Sequence, residues 1–237
     1  MTTIDIGIHK TDEASSSLLE DASSALYDHL DPVIFADLSI EHESTHHNMN
    51  NSYIGSGDTE DRKDSVKFAE SALELQGQLG DYDCHVIIYE KTINETNTDG
   101  AGFANWVIGA HHSDDIDHNH FVEERRYDDA GKYALSFVNE SSGYWPFDLF
   151  EQTVIHEVAH NLDAQHQEGS IWDLGDAHAT PMATWQVESD CGVLWPDRTL
   201  DNACEDEVGD GKACDHTPFY SGCVDTKMNG TINDFIN

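Results

Sequence analysis

An α+β fold is what this chain predicts, on three observations. Helix-spaced apolar positions fill residues 16–30 and 59–79, whereas 33–40, 84–89, 103–108 and 133–138 are short apolar runs of strand length. A further amphipathic stretch, 148–162, follows those strands. The last fifty residues crowd four cysteines among Gly, Asp and Pro, a composition that predicts an irregular, disulfide-bearing end. The expected architecture is a twisted mixed sheet with two helices in an N-terminal subdomain, the helix over 148–162, and an irregular C-terminal subdomain. The boundary falls near Gly169, giving 1–168 and 169–237 as two parts of one domain. With 237 residues and 38% hydrophobic content, the chain can bury one sizeable core.

In order, Leu18, Ala22, Leu26 and Leu30 share one face of the first helix, and Pro32 stops it. Val33 to Ile40 reads as a strand, and Glu41 to Asp58 as a polar linker. The second helix runs from Thr59 to Leu79 with Gly80 as its stop. Cys84 to Tyr89, with Val86, Ile87 and Ile88 consecutive, is the most apolar strand; Phe103 to Ile108 and Tyr133 to Val138 supply two more. In the last helix Asp148 is placed to N-cap and Glu151 to close a capping box, while Val154, Val158 and Leu162 repeat every four residues beside Ile155 and Ala159.

That helix carries His156, Glu157 and His160, and His166 follows six residues later. On a helix, positions four apart lie on one face, so His156 and His160 can grip one metal ion while Glu157 reaches a water that the metal activates. HExxH alone is a weak signal in a chain with 15 His; the third His at this offset and a real amphipathic helix make it a strong one.

The stretch HEVAHNLDAQH resembles the metzincin clan of zinc metallopeptidases, whose extended motif is HExxHxxGxxH followed by a methionine-containing turn. Asp163 stands where the clan has Gly. The Gly ends the helix in a left-handed conformation, and Asp is among the few other residues that adopt it locally. Ala179-Thr180-Pro181-Met182-Ala183-Thr184 matches the Met-turn, placing Met182 beneath the metal. Thr184 occupies the position at which some members carry an extra Tyr ligand, which implies a plain three-His site. The resemblance covers 148–186 and the order of elements before them. It implies a zinc endopeptidase with His156, His160 and His166 on one catalytic zinc, Glu157 as general base, and Trp185 near the substrate pocket. Peptide or protein is the expected substrate, bound extended against a sheet edge, and the expected state is a monomer.

Composition speaks to habitat. Asp plus Glu number 47 against 11 Lys plus Arg, a formal charge of −36 spread over the whole chain. Screening reaches only to about 10 Å at 0.1 M salt, so such self-repulsion is expected to be relieved in molar salt, as in a halophile's protein. A calcium-loaded chain or a cationic partner is the alternative. No basic patch favours nucleic acid, and no apolar run is long enough to cross a membrane. The N-terminus shows no secretory signal, yet Cys191, Cys204, Cys214 and Cys223 favour two disulfides of open connectivity. The expected location is therefore extracellular, with a signal peptide not present in this chain. Cys84, in an apolar run, is expected to be a buried free thiol.

His111 to His120 mixes imidazoles with carboxylates and leaves room for a structural calcium or second zinc, although a solvated acidic loop is the favoured reading. Other functions stay open. A zinc peptidase of another clan would take its third ligand from Asp173, Asp176 or Glu188; a non-catalytic zinc-stabilised binding module would not need Glu157; a calcium-binding surface protein would need no zinc.

Overall fold

The structure, a computed structural model, describes residues 2–42, 49–50, 59–90, 105–108, 133–140, 150–164, 169, 171–173, 177–181, 215–216 and 218–233. Its centre is a five-stranded mixed sheet. In chain order the strands are β1 (Thr3–Lys10), β2 (Asp37–His42), β3 (Cys84–Tyr89), β4 (Asn105–Ile108) and β5 (Ala134–Asn139). They lie side by side as β2-β1-β3-β5-β4. The first four of that row run parallel, and β4 closes the edge antiparallel to β5.

Alternation along the strands sorts two hydrophobic layers. Ile4, Ile6, Ile8, Val86, Ile88, Ala134 and Val138 face helices α1 (Ser17–His29) and α3 (Phe150–Asn161). Ile87, Tyr89, Leu135 and Phe137 face the opposite layer, which includes Ala69, Ala72 and Leu73 of α2 (Thr59–Leu75). Parallel strands covered on both faces need such near-continuous apolar runs, and β3 and β5 are buried along their whole length.

Several expectations are corrected. β1 is the second strand of the row, pairing with both β2 and β3, and was not foreseen, although Ile4, Ile6 and Ile8 alternate with period two. β2 starts at Asp37 rather than Val33, because Val33 and Ile34 still donate to the Leu30 carbonyl and prolong the helical turn. α2 ends at Leu75, and the left-handed residue after it is Gly77 (φ 71°), not Gly80. The described residues of the C-terminal part include regular elements that were not foreseen. These are a small sheet of β6 (Ile171–Asp173), β7 (Ala177–Ala179) and β8 (Asp215–His216), then a helix, α4 (Gly222–Thr231). Ser221 caps α4 by accepting from the Val224 amide at 3.3 Å, and Val224, Met228 and Ile232 enter the same core as α1 and α3. No helix among the described residues is long and apolar enough to cross a membrane. Cys84 is buried and in no disulfide, and Asn139 and Asn229, each the first residue of an Asn-x-Ser/Thr triplet, are buried.

Gly7 shows how tightly the sheet is packed on its α2 side. A Cβ there would stand 2.5 Å from the Tyr82 ring and 2.9 Å from His9 Nε2. Gly7→Ala is therefore expected to destabilise the fold by about 1–3 kcal/mol through overpacking. Thermal unfolding of the variant beside the parent checks this, and an unchanged midpoint would mean that Tyr82 moves aside freely.

Candidate functional site

Helix α3 is not a surface helix that happens to carry histidines. From Thr153 to Ala159 every residue is buried, including His156 and Glu157. Its apolar side rests in the core shared with α1 and α4, and it packs against β5 and β4. Asn161 Nδ2 donates to Ser136 Oγ of β5 at 3.1 Å, and Tyr220 OH donates to the Ile155 carbonyl at 2.5 Å. The helix is thus held from the sheet and from the C-terminal segment at once.

The two imidazoles meet as their four-residue spacing predicts. Their ring centroids are 4.6 Å apart, the planes cross at 83°, and Nε2 faces Nε2 at 3.1 Å. Their outer nitrogens settle the tautomers. His156 Nδ1 bonds the Pro181 carbonyl, and His160 Nδ1 bonds the Ala164 carbonyl at 2.7 Å. A carbonyl only accepts, so each Nδ1 carries the hydrogen and, in the neutral ring, each Nε2 is the acceptor nitrogen. Two acceptor nitrogens facing each other at this distance are an arrangement that a shared cation, a metal ion or a proton, would satisfy. Two nitrogens at about 2.0–2.1 Å from one tetrahedral zinc are about 3.3 Å apart, close to the spacing found.

A second buried histidine pair marks the contrast. His85 Nε2 donates to the Leu79 carbonyl at 3.1 Å, which leaves His85 Nδ1 to accept from His9 Nε2 at 2.9 Å. In that pair a donor nitrogen faces an acceptor, as an ordinary hydrogen bond requires.

Glu157 is fully buried beside His156, and neither carboxylate oxygen has a hydrogen-bond partner. Burial pushes its pKa well above the usual carboxylate range. Burial, and next the Glu157 carboxylate, also raises the phenol of Tyr89, which places Glu157 near the last residue of β3. A buried polar group without a partner costs on the order of 1–3 kcal/mol, more when charged, and such costs concentrate where function needs the group.

His166, Met182 and Trp185 lie outside the described residues, as does the His111–His120 cluster. Among the described residues no group of three or more His, Cys, Asp or Glu surrounds one point, and of the three expected ligands His156 and His160 are the two described. Asp163 takes the left-handed conformation expected of it, with φ 68°. Sequence reading missed the carbonyl partners, Pro181 and Ala164. Pro181 could have been suspected, since it immediately precedes Met182; nothing in the sequence singles out Ala164 or Tyr220.

Behind the helix, Asp225 of α4 has a buried Oδ1 without a partner, and burial lifts its pKa to about 6. Burial, then the Asp225 carboxylate, holds the Tyr220 phenol well above its ordinary range. A carboxyl whose pKa is higher folded than unfolded binds more protons in the native state between those two values, so this group's contribution to stability falls from about pH 4 to about pH 6. Asp225→Asn is expected to remove that fall. In thermal melts at fixed salt, its advantage over the parent should be near zero below pH 4, grow to pH 6, and stay constant above. A pH-independent difference would refute the assignment.

No protein-family model matches the chain, and no curated protein matches it.

Proposed function

We propose that the protein is a secreted, salt-adapted zinc endopeptidase of metzincin type, with His156, His160 and His166 as zinc ligands and Met182 in the turn beneath them. The observation that carries this reading is the pair of Nε2 atoms facing each other at 3.1 Å, with both Nδ1 atoms turned to backbone carbonyls, beside the unpartnered Glu157 carboxyl. Bound zinc supplies Lewis acidity, which polarises a peptide carbonyl and acidifies water. The protein's own groups do the rest. Pro181 and Ala164 hold the two imidazoles in the ligating tautomer. Glu157 takes a proton from the attacking water and passes it to the departing amine, and the buried surroundings of α3 keep that transfer away from bulk solvent.

The sheet offers an edge for an extended substrate. β4 closes the row next to α3, so backbone pairing along Asn105–Ile108 would lay a peptide over the helix, whereas β2 closes the opposite side. Trp185, three residues past Met182, belongs to the pocket on this reading. A disulfide-bearing C-terminal region is part of it too, and the disulfide-bonded state of Cys223 supports that.

The test is hydrolysis of a generic protein substrate in molar salt by zinc-loaded protein, beside the same protein stripped with a chelator and beside Glu157→Gln. Zinc-dependent cleavage that the variant lacks is the expected result. Zinc binding without cleavage in the parent would favour a binding module, and full zinc affinity in His166→Ala would move the site to another clan.

A further inference from the structure

We infer that Lys227 is a positioning residue for the metal centre, acting through the left-handed turn at Asp163 on the carbonyl that orients His160. The inference rests on the metal reading above. Helix α3 ends in a Schellman arrangement: the Asp163 amide donates to the His160 carbonyl at 2.8 Å and the Ala164 amide to the Ala159 carbonyl at 3.0 Å. The carbonyl of that same Ala164 then accepts from His160 Nδ1 at 2.7 Å. How the second imidazole is aimed therefore depends on a turn whose critical residue is Asp163.

Asp is a poor occupant of that place on two counts. It is the one non-glycine residue with positive φ among those described, a conformation that L-residues disfavour. It also sets a negative charge at the C-terminal end of a helix, where the helix dipole is negative as well. Lys227 answers the second problem directly, with Nζ 2.7 Å from Asp163 Oδ2. The chain has 11 Lys plus Arg against 47 Asp plus Glu, so a cation is scarce, and one is spent on this turn. Lys227 is delivered by α4, which is already fixed to α3 through the Tyr220 hydroxyl on Ile155 and through Val224 and Met228 in the shared core. The side chains are 44% and 24% exposed, so the pair is a modest one that salt weakens.

Glycine at 163 would need no such support, and that supplies the test. Zinc affinity is measured on the full chain by competition with a chromophoric chelator, and site geometry by the visible spectrum of the Co(II)-substituted protein. Lys227→Met is expected to weaken zinc about two- to fivefold, the scale of a partly exposed ion pair, and to shift the Co(II) bands, whereas Lys227→Arg leaves both unchanged. In an Asp163→Gly background, Lys227→Met should change neither. Thermal melts of the metal-free proteins should show the same coupling, with the Lys227→Met loss absent once Gly stands at 163. An undiminished Lys227→Met effect in that background, or none in the parent, overturns the inference while leaving the metal reading intact. A parent that binds neither zinc nor Co(II) overturns both.

Discussion

Glu157→Gln is expected to cut peptide hydrolysis by about 10³-fold while zinc affinity stays within about twofold and the thermal midpoint does not fall. The size comes from the range for a positioned general acid or base, about 10²–10⁴, since the amide keeps the shape of the carboxylate but cannot take a proton. Affinity should hold because the proposed ligand atoms are imidazole nitrogens, and their tautomers are set by Pro181 and Ala164 rather than by Glu157. The sign of the stability change separates this from an ordinary core defect. Glu157 is buried with both oxygens unpartnered, and burial disfavours its charged form, so the native fold gives up stability to keep it. A residue retained for structure alone would destabilise on replacement. Steady-state kinetics at matched zinc content, with calorimetry on the same samples, decides: full activity in Glu157→Gln rejects the base, and loss of zinc along with activity would make Glu157 part of the metal's own support.

What could be read from the sequence divides along physical lines. Helix α3 was legible because its signals are local: imidazoles four apart, apolar positions at helical spacing, and a residue at 163 able to take φ 68°. β3 and β5 were legible for the same reason, each being a short unbroken apolar run. β1 was not, because its three isoleucines form a brief alternation and its partners lie 30 to 80 residues away, at Asp37–His42 and Cys84–Ile88. α4 contains Gly222, Asn229, Gly230 and Thr231, all weak helix formers, and is stabilised instead by packing and by Asn229, whose side chain donates to Val33 O and Asp225 O and accepts from the Phe35 amide.

The same distinction applies inside the site. Residue types announce which atoms could bind a metal, but which nitrogen is left to do so is decided by backbone partners. Pro181 is 25 residues from His156, and Tyr220 is 65 from Ile155. Ala164 is only four residues from His160, yet its part is played by a backbone carbonyl, which side-chain chemistry cannot reveal. The motif therefore predicts ligands, and the fold supplies the tautomer.

Removing the metal is expected to lower the thermal midpoint by roughly 8–16 °C. A ligand that binds only the native state stabilises by about 4.1 kcal/mol when its free concentration is 1,000 times its Kd, and a domain of this size shifts about 2–4 °C per kcal/mol. The facing nitrogens give a structural reason for the effect: without a metal, the two Nε2 atoms remain 3.1 Å apart in a helix fixed by Asn161 and Tyr220, so neither ring can turn without breaking its bond to Pro181 or Ala164. His156→Ala should abolish the chelator's effect, since the second ligand is lost. The chain's charge of −36 makes the choice of chelator matter, because carboxylates at such density can collect calcium whatever happens at α3. Melts should therefore be run with a zinc-selective chelator in excess calcium. A drop under those conditions that vanishes in His156→Ala assigns the stabilisation to the His156–His160 site, whereas a midpoint that responds only to calcium removal would leave the two facing imidazoles without a metal and the peptidase reading without its foundation.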